Sequence, residues 1–326
     1  MNFAGITPLY ASPAGGGSGY TAASRCTLEE AIVLARTDAV IELAAGAYAG
    51  PAAIIEKRIR IVPASSASPT LASGRMWQSR TSGASFTISG YTATAVTGAN
   101  ETYITIVPSD YVPFTKPAVV ALHGASGTEE QFLGSWPASL RDIVTAIVAA
   151  GYPMICPYAA GNSWGNLTAM DRITEAVAVA RNGLGATTAP VVLFGGSMGG
   201  ANALNWAKRN LADTACVVGA VPVSDISDIH TNNRSGLAAQ INTAHSTWTE
   251  ETRGADHNPA TFAATALAGL PYQAWGATSD TTCLPATVEA VATAISGTYT
   301  EVAGDHTSSM ANVVPATVVS FIEEHT

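Results

Sequence analysis

Ser197 lies in the run Gly195-Gly196-Ser197-Met198-Gly199. Four apolar residues, Val191-Val192-Leu193-Phe194, lead into it, and Gly200-Ala201-Asn202-Ala203-Leu204 after it reads as the opening of a helix. A serine hydroxyl becomes a useful nucleophile when a tight turn lifts it clear of a sheet and sets it beside a base. Gly195 and Gly199 fall where a Cβ would meet the neighbouring strand and helix as the chain reverses. The helix points its free N–H groups, beginning with that of Met198, at the place where an oxyanion would form. In a chain with 30 glycines the pentapeptide alone says little, so its weight comes from the strand before it and the helix after it. No Gly-Lys-Ser/Thr follows, which excludes a phosphate loop. No G-x-G-x-x-G with a later acidic residue is present, which excludes a dinucleotide fingerprint.

A base and an acid follow in the chain. Trp275-Gly276-Ala277-Thr278-Ser279-Asp280 places a carboxylate just past one strand, and Gly304-Asp305-His306 places an imidazole just past the next. Loops at the carboxyl ends of parallel strands converge on one crevice, so separation in sequence is no obstacle. His306 would take the proton of Ser197, while Asp280 would hold the imidazole tautomer and stabilise the imidazolium. Asp225, after the preceding strand, is the rival acid, and Asp228 is more remote. Asp305 reads as a solvated turn residue. Upstream, the run Val119-Val120-Ala121-Leu122 ends in His123-Gly124-Ala125. Gly124 would let the backbone approach an acyl carbon, the Ala125 N–H would be the second oxyanion donor beside that of Met198, and His123 would brace the loop.

The elements that must position these groups alternate. A hairpin is expected over 91–96 and 102–107, turning at Thr97-Gly98-Ala99-Asn100. Strands follow near 118–122, 154–156, 215–221, 272–276 and 298–302. Helices are expected over 129–150 (interrupted near Gly134 and Pro137), 169–183, 198–211, 285–295 and 314–324. Such alternation implies a parallel sheet covered on both faces. Residues 225–268 form a long polar segment of the kind that covers an active site. Residues 1–63 read as a separate module, with a helix beginning at Thr27 and short strands at 40–43, 53–55 and 58–62. Residues 64–87, rich in Ser, Ala and Thr, read as a linker, and 88–326 as the catalytic domain.

With Ser197, Asp280, His306 and His123-Gly124 in this order, residues 88–326 resemble the serine esterase/lipase branch of the α/β-hydrolase superfamily. The resemblance implies an α/β-hydrolase fold and cleavage of carboxylic esters through an acyl-enzyme, with no metal or organic cofactor. A peptidase or amidase would use the same triad, and a non-catalytic receptor-binding module could occupy the same fold. Asn258-Pro259 looks like the x-Pro that precedes the acid's strand in prolyl-oligopeptidase-like members. Gly161-Asn162-Ser163-Trp164-Gly165-Asn166 resembles a loop bordering the active site in actinobacterial and actinobacteriophage hydrolases, which implies substrate contact for Trp164; packing is the alternative. Ile41-Glu42-Leu43-Ala44-Ala45-Gly46-Ala47-Tyr48-Ala49-Gly50 resembles the opening of right-handed parallel β-helix proteins. A hydrolase joined to such a segment resembles phage minor tail proteins, which implies an N-terminal attachment module, a virion or extracellular setting, and acylated cell-envelope lipids or polysaccharides as substrates.

Composition narrows the partners. Charged residues make up 12% and the net charge is −9, with no Lys/Arg cluster, which argues against nucleic acid and anionic membranes. The first residues, Met1-Asn2-Phe3-Ala4-Gly5, lack the basic start and apolar core of a secretory signal. No uninterrupted apolar run reaches the ~18 residues of a membrane span. Cys156 and Cys216 read as buried thiols, and Cys26 and Cys283 stand isolated, so neither a disulfide framework nor a zinc motif is expected.

Overall fold

The computed structural model describes residues 9–11, 39–44, 46–48, 59–63, 69–71, 85–88, 91–133 and 138–326. In the N-terminal region, β1 (Leu9–Ala11), β2 (Ala39–Leu43) and β4 (Ile59–Pro63) pair in parallel in the order β1-β2-β4, and β3 (Gly46–Tyr48) pairs in parallel with β5 (Pro69–Leu71). The expected helix after Thr27 and the strand at 53–55 lie outside the described residues. The stretch expected to be a linker contains β5 and also β6 (Ser85–Ile88), which pairs antiparallel with the next strand and so belongs to the main sheet.

That sheet has nine strands. β7 (Tyr91–Thr97) and β8 (Thr102–Pro108) form the expected hairpin, and β8 runs antiparallel to β10 (Met154–Pro157). Six strands are mutually parallel: β9 (Val119–Leu122), β10, β11 (Val191–Gly196), β12 (Thr214–Ala220), β13 (Tyr272–Ala277) and β14 (Thr298–Val302). The spatial order is β14-β13-β12-β11-β9-β10-β8-β7-β6. β9, β10 and β11 are buried at every residue, which is why they read as unbroken apolar runs rather than alternating ones. Their side chains still alternate between two cores. Val120, Leu122 and Leu193 enter one with α2 (Leu167–Gly183), α3 (Met198–Arg209) and α7 (Pro285–Ile295). Val119, Ala121, Val192 and Phe194 enter the other with α1 (Ala138–Ala149) and α8 (Pro315–Glu324).

Of the helix expected over 129–150, Ala138–Ala149 is helical and Glu129–Leu133 forms turns instead, residues 134–137 lying outside the described residues. Residues 225–268, the segment expected to cover the site, fold into α4 (Ile226–Thr231), α5 (Ala238–His245) and α6 (Pro259–Ala266), with a wide helical turn at Glu250–Gly254. Among the described residues no helix is long and apolar enough to cross a membrane. The chain leaves β9 for β10 on one side and returns to β11 on the other. The carboxyl ends of β9 and β11 are therefore the point where strand order reverses, the usual place for a ligand crevice.

Candidate active site

Ser197 occupies the residue between β11 and α3, with φ 52° and ψ −122°. A non-glycine residue at positive φ is strained and persists only where its surroundings impose it. Here they do. The Ser197 N–H donates to Ala220 O (3.1 Å), and Ser197 O accepts from Gly200 N (2.9 Å) and Val223 N (2.8 Å). A Cβ on Gly195 would run into the Gly199 carbonyl, and one on Gly199 into Leu122 O, so both glycines are set by close backbone approach as their spacing implied. A Cβ on Gly124 would come 3.3 Å from Ser197 Cβ, which places the loop after β9 directly against the serine.

The three groups read from sequence meet. Ser197 Oγ lies 2.8 Å from His306 Nε2, and His306 Nδ1 lies 2.7 Å from Asp280 Oδ2. Asp280 is 3% exposed, and its other oxygen, Oδ1, accepts from Thr282 N (2.7 Å) and Cys283 N (2.8 Å). The acid and base loops are stitched together, Ser279 N donating to Gly304 O (2.9 Å) and Thr278 N to Val302 O (2.9 Å). Burial is the largest influence on His306 and disfavours its imidazolium. The Cys283 sulfur and the Asp280 carboxylate favour it and outweigh burial, so the group is raised above the ordinary imidazole range. Asp305 shapes the turn, its Oδ1 accepting from Thr307 N, Ser308 N and Ser308 Oγ, and those donors hold its carboxyl below the usual range.

Asp225 is elsewhere. Its Oδ1 caps α4 by accepting from Asp228 N (3.0 Å) and also accepts from Asn258 Nδ2 (3.0 Å). Asp228 pairs with Arg234. Pro259 opens α6, and Asn258 before it holds the Ile226 N–H with its Oδ1 (2.9 Å).

The loop after β9 is braced on three sides. Gly124 N donates to Gln131 Oε1 (2.7 Å), Ser126 N to Asn162 Oδ1 (2.6 Å), and His123 Nε2 lies 2.7 Å from Tyr158 O. Between Gly124 and Ser126, the Ala125 N–H has no such partner among the described residues, and the Met198 N–H leads α3, where no intrahelical acceptor exists.

Trp164 is fully buried, packed with Met198, Val223, Ile226, Trp248 and Cys283, with Ala125 against the same cluster. Its ring thus packs in the same apolar cluster as Met198, and its indole N–H has no partner among the described residues. The loop that carries it is held by groups that sequence reasoning did not single out. Asn202 Oδ1 accepts from Gly165 N (2.7 Å), His257 Nδ1 donates to Gly165 O (2.8 Å), and His245 Nε2 donates to Trp164 O (2.9 Å). Burial pulls His245 down to about 4 and lowers His257 as well, so both rings donate as neutral imidazoles. The missed signal was polarity on an apolar helix face: Asn202 and Asn205 are 1% and 0% exposed in α3.

Cys283 was also missed. It lies in the turn that binds Asp280, is 2% exposed, and its sulfur lies within 4.8 Å of a His306 ring nitrogen. Among the described residues the metal-ligand types that gather are Asp280, Cys283 and His306, with ligand atoms within 4.8 Å of one another.

Neither a protein-family model nor a curated protein matches the sequence. Solved structures do match the fold. The S-formylglutathione hydrolase of Agrobacterium tumefaciens aligns over 74% of this chain and 98% of its own, at 13% identity and a TM-score of 0.53. Est1E from Butyrivibrio proteoclasticus aligns over 72% and 98%, at 14% identity and 0.56. A thermostable esterase from Pseudomonas putida aligns over 73% and 82%, at 18% identity and 0.51. At these identities the likeness is one of fold, and it agrees with the strand order and the turn at Ser197: the chain carries the α/β-hydrolase fold.

Proposed function

We propose that the protein is a serine hydrolase that cleaves carboxylic esters through an acyl-enzyme on Ser197. The observation that carries this reading is the relay Ser197 Oγ–His306 Nε2–His306 Nδ1–Asp280 Oδ2, at 2.8 and 2.7 Å, set on a strained turn beside two N–H groups free to donate. With Nδ1–H donated to Asp280, Nε2 keeps a lone pair for the serine proton. Oγ attacks the ester carbon, the proton passes to His306, and the oxyanion forms against the Met198 and Ala125 N–H groups beside Gly124. Collapse breaks the C–O bond, and His306 returns the proton to the leaving alcohol. Water then repeats the sequence on the acyl-enzyme. The three neighbours named above, two of them titled as a hydrolase and an esterase, support the choice of reaction class.

The parallel pairing of β1, β2 and β4 supports reading residues 1–63 as a solenoid-like attachment module preceding a hydrolase at 88–326. That module and the sparse charge support placing the enzyme on a larger assembly such as a phage tail, acting on acylated envelope lipids or polysaccharides.

A fluorophosphonate probe is expected to label the protein at Ser197, and p-nitrophenyl esters of graded chain length to be turned over. A wild-type protein that neither labels nor hydrolyses would overturn the reading, and a labelled site that cleaves anilides in preference to esters would replace it with an amidase.

A further inference from the structure

Cys283 has a position that apolar filling does not account for. Its backbone N–H and that of Thr282 hold Asp280, and its sulfur lies beside the imidazole that Asp280 orients. Sulfur, imidazole nitrogen and carboxylate oxygen lie within 4.8 Å of one another, on two loops already joined by Ser279 N and Gly304 O. We propose that Asp280, Cys283 and His306 form an inhibitory site for a soft divalent cation, Zn2+ above all, which switches the hydrolase off by capturing its base.

The donor set selects the ion. A thiolate with an imidazole and one carboxylate suits zinc, whereas Mg2+ and Ca2+ require oxygen cages. Zinc bonds of about 2.0–2.3 Å put tetrahedral ligands roughly 3.3–3.8 Å apart, so the 2.7 Å Nδ1–Oδ2 contact has to open by roughly 0.6 Å to admit the ion. Three protein ligands leave the fourth position for water. Access comes along His306, whose side chain is 23% exposed while that of Asp280 is fully enclosed.

The consequences balance. Cys283 loses its thiol proton to solvent and binds as thiolate. His306 gives its Nδ1 lone pair to the metal, and the proton that sat on Nδ1 is carried on Nε2 instead, so the ring stays neutral. Nε2–H then faces Ser197 Oγ and cannot accept its proton. One zinc binds, one proton is released, and the relay is reversed.

The switch-off rests on the hydrolase reading, but the cation site does not, so the experiment reads both. Metal-stripped full-length protein is titrated with Co2+ and, separately, with Zn2+ against a chromophoric chelator. We expect one equivalent bound, with a thiolate-to-cobalt charge-transfer band. Ser197→Ala is expected to bind equally, and Cys283→Ala to lose the band and weaken zinc binding more than about tenfold. In p-nitrophenyl acetate turnover, zinc is expected to suppress the wild type reversibly by chelator, with Mg2+ and Ca2+ inert and Cys283→Ala resistant. Cys283→Ser serves if the alanine variant fails to fold. No cobalt–thiolate band, or equal zinc binding by wild type and the Cys283 variants, overturns the site. A band with no turnover in the metal-free wild type instead overturns the hydrolase reading.

Discussion

The elbow around Ser197 and residues 225–268, the segment expected to cover it, are held by different forces. In the elbow the backbone does the holding: Gly195, Gly199 and Gly200 lie so close to Gly199 O, Leu122 O and Pro222 that no Cβ fits at any of them. In the cover, polar side chains do it. Asn258 binds Ile226 N, Asp225 and Glu250, Glu250 also accepts from Ser227 and Thr261, and Asn242 Oδ1 accepts from Trp248 N (2.9 Å) and contacts His230 Nε2 (3.0 Å). Backbone packing fixes position to within the width of an atom and tolerates no substitution. A side-chain clasp fixes it through directional bonds that can be removed one at a time. Ser197 thus stands on the first kind of support and residues 225–268 on the second.

Removing the hydroxyl tests this contrast most severely. Ser197→Ala is expected to abolish fluorophosphonate labelling and to lower kcat by at least ~10^4-fold. Thermal unfolding is expected to change little, because the alanine accepts the same backbone bonds. Asp280→Asn comes next, with a loss of about 10^4-fold, typical of an orienting carboxylate turned into an amide. The same variant reports on pH. Activity requires neutral His306, and a nearby anion stabilises the imidazolium, so the acid limb of the wild-type profile is expected above pH 6.5. Asp280→Asn should move that limb down, and an unmoved limb would detach Asp280 from His306.

Gly199→Ala forces a Cβ into Leu122 O, and a loss of about 3 kcal/mol or more in denaturant unfolding is expected, in line with severe overpacking. A near-neutral result would show that the elbow yields and would dissolve the contrast. Asn258→Ala strips the Ile226 N–H of its buried acceptor and is expected to cost about 1–3 kcal/mol while the triad stays assembled. If kcat fell with it as steeply as in Asp280→Asn, the cover would be part of the reacting geometry. Asp225→Asn is expected to change stability by only a few tenths of a kcal/mol, since asparagine caps a helix about as well as aspartate.

Much of this arrangement can be read in the chain. β11 and α3 are legible because a strand buried on both faces must be apolar throughout and a tight reversal into a helix needs glycine. Asp280 and His306 are legible because each follows a strand whose carboxyl end must open on the crevice. β6 at Ser85–Ile88 is not, because an edge strand of Ser, Phe, Thr and Ile has the composition of a linker, and only its pairing with β7 reveals it. The start of α1 is blurred by Gly134 and Pro137 for the same reason: local composition there permits more than one outcome.

The sequence by itself determined the order of the strands and helices around the elbow and the candidates for nucleophile and base, since those follow from periodicity, glycine placement and the few side chains able to do the chemistry. Which acid serves His306 only the tertiary structure decided. Asp225 and Asp280 both follow parallel strands, and nothing local distinguishes them; the fold spends one on the N-terminus of α4 and aims the other at the imidazole. Trp164 and Cys283 were decided there too, one enclosed in the cluster that holds Met198 and the other brought within 4.8 Å of a His306 ring nitrogen. Proximity between loops distant in the chain is a property of how sheets and helices pack, and no single segment carries it.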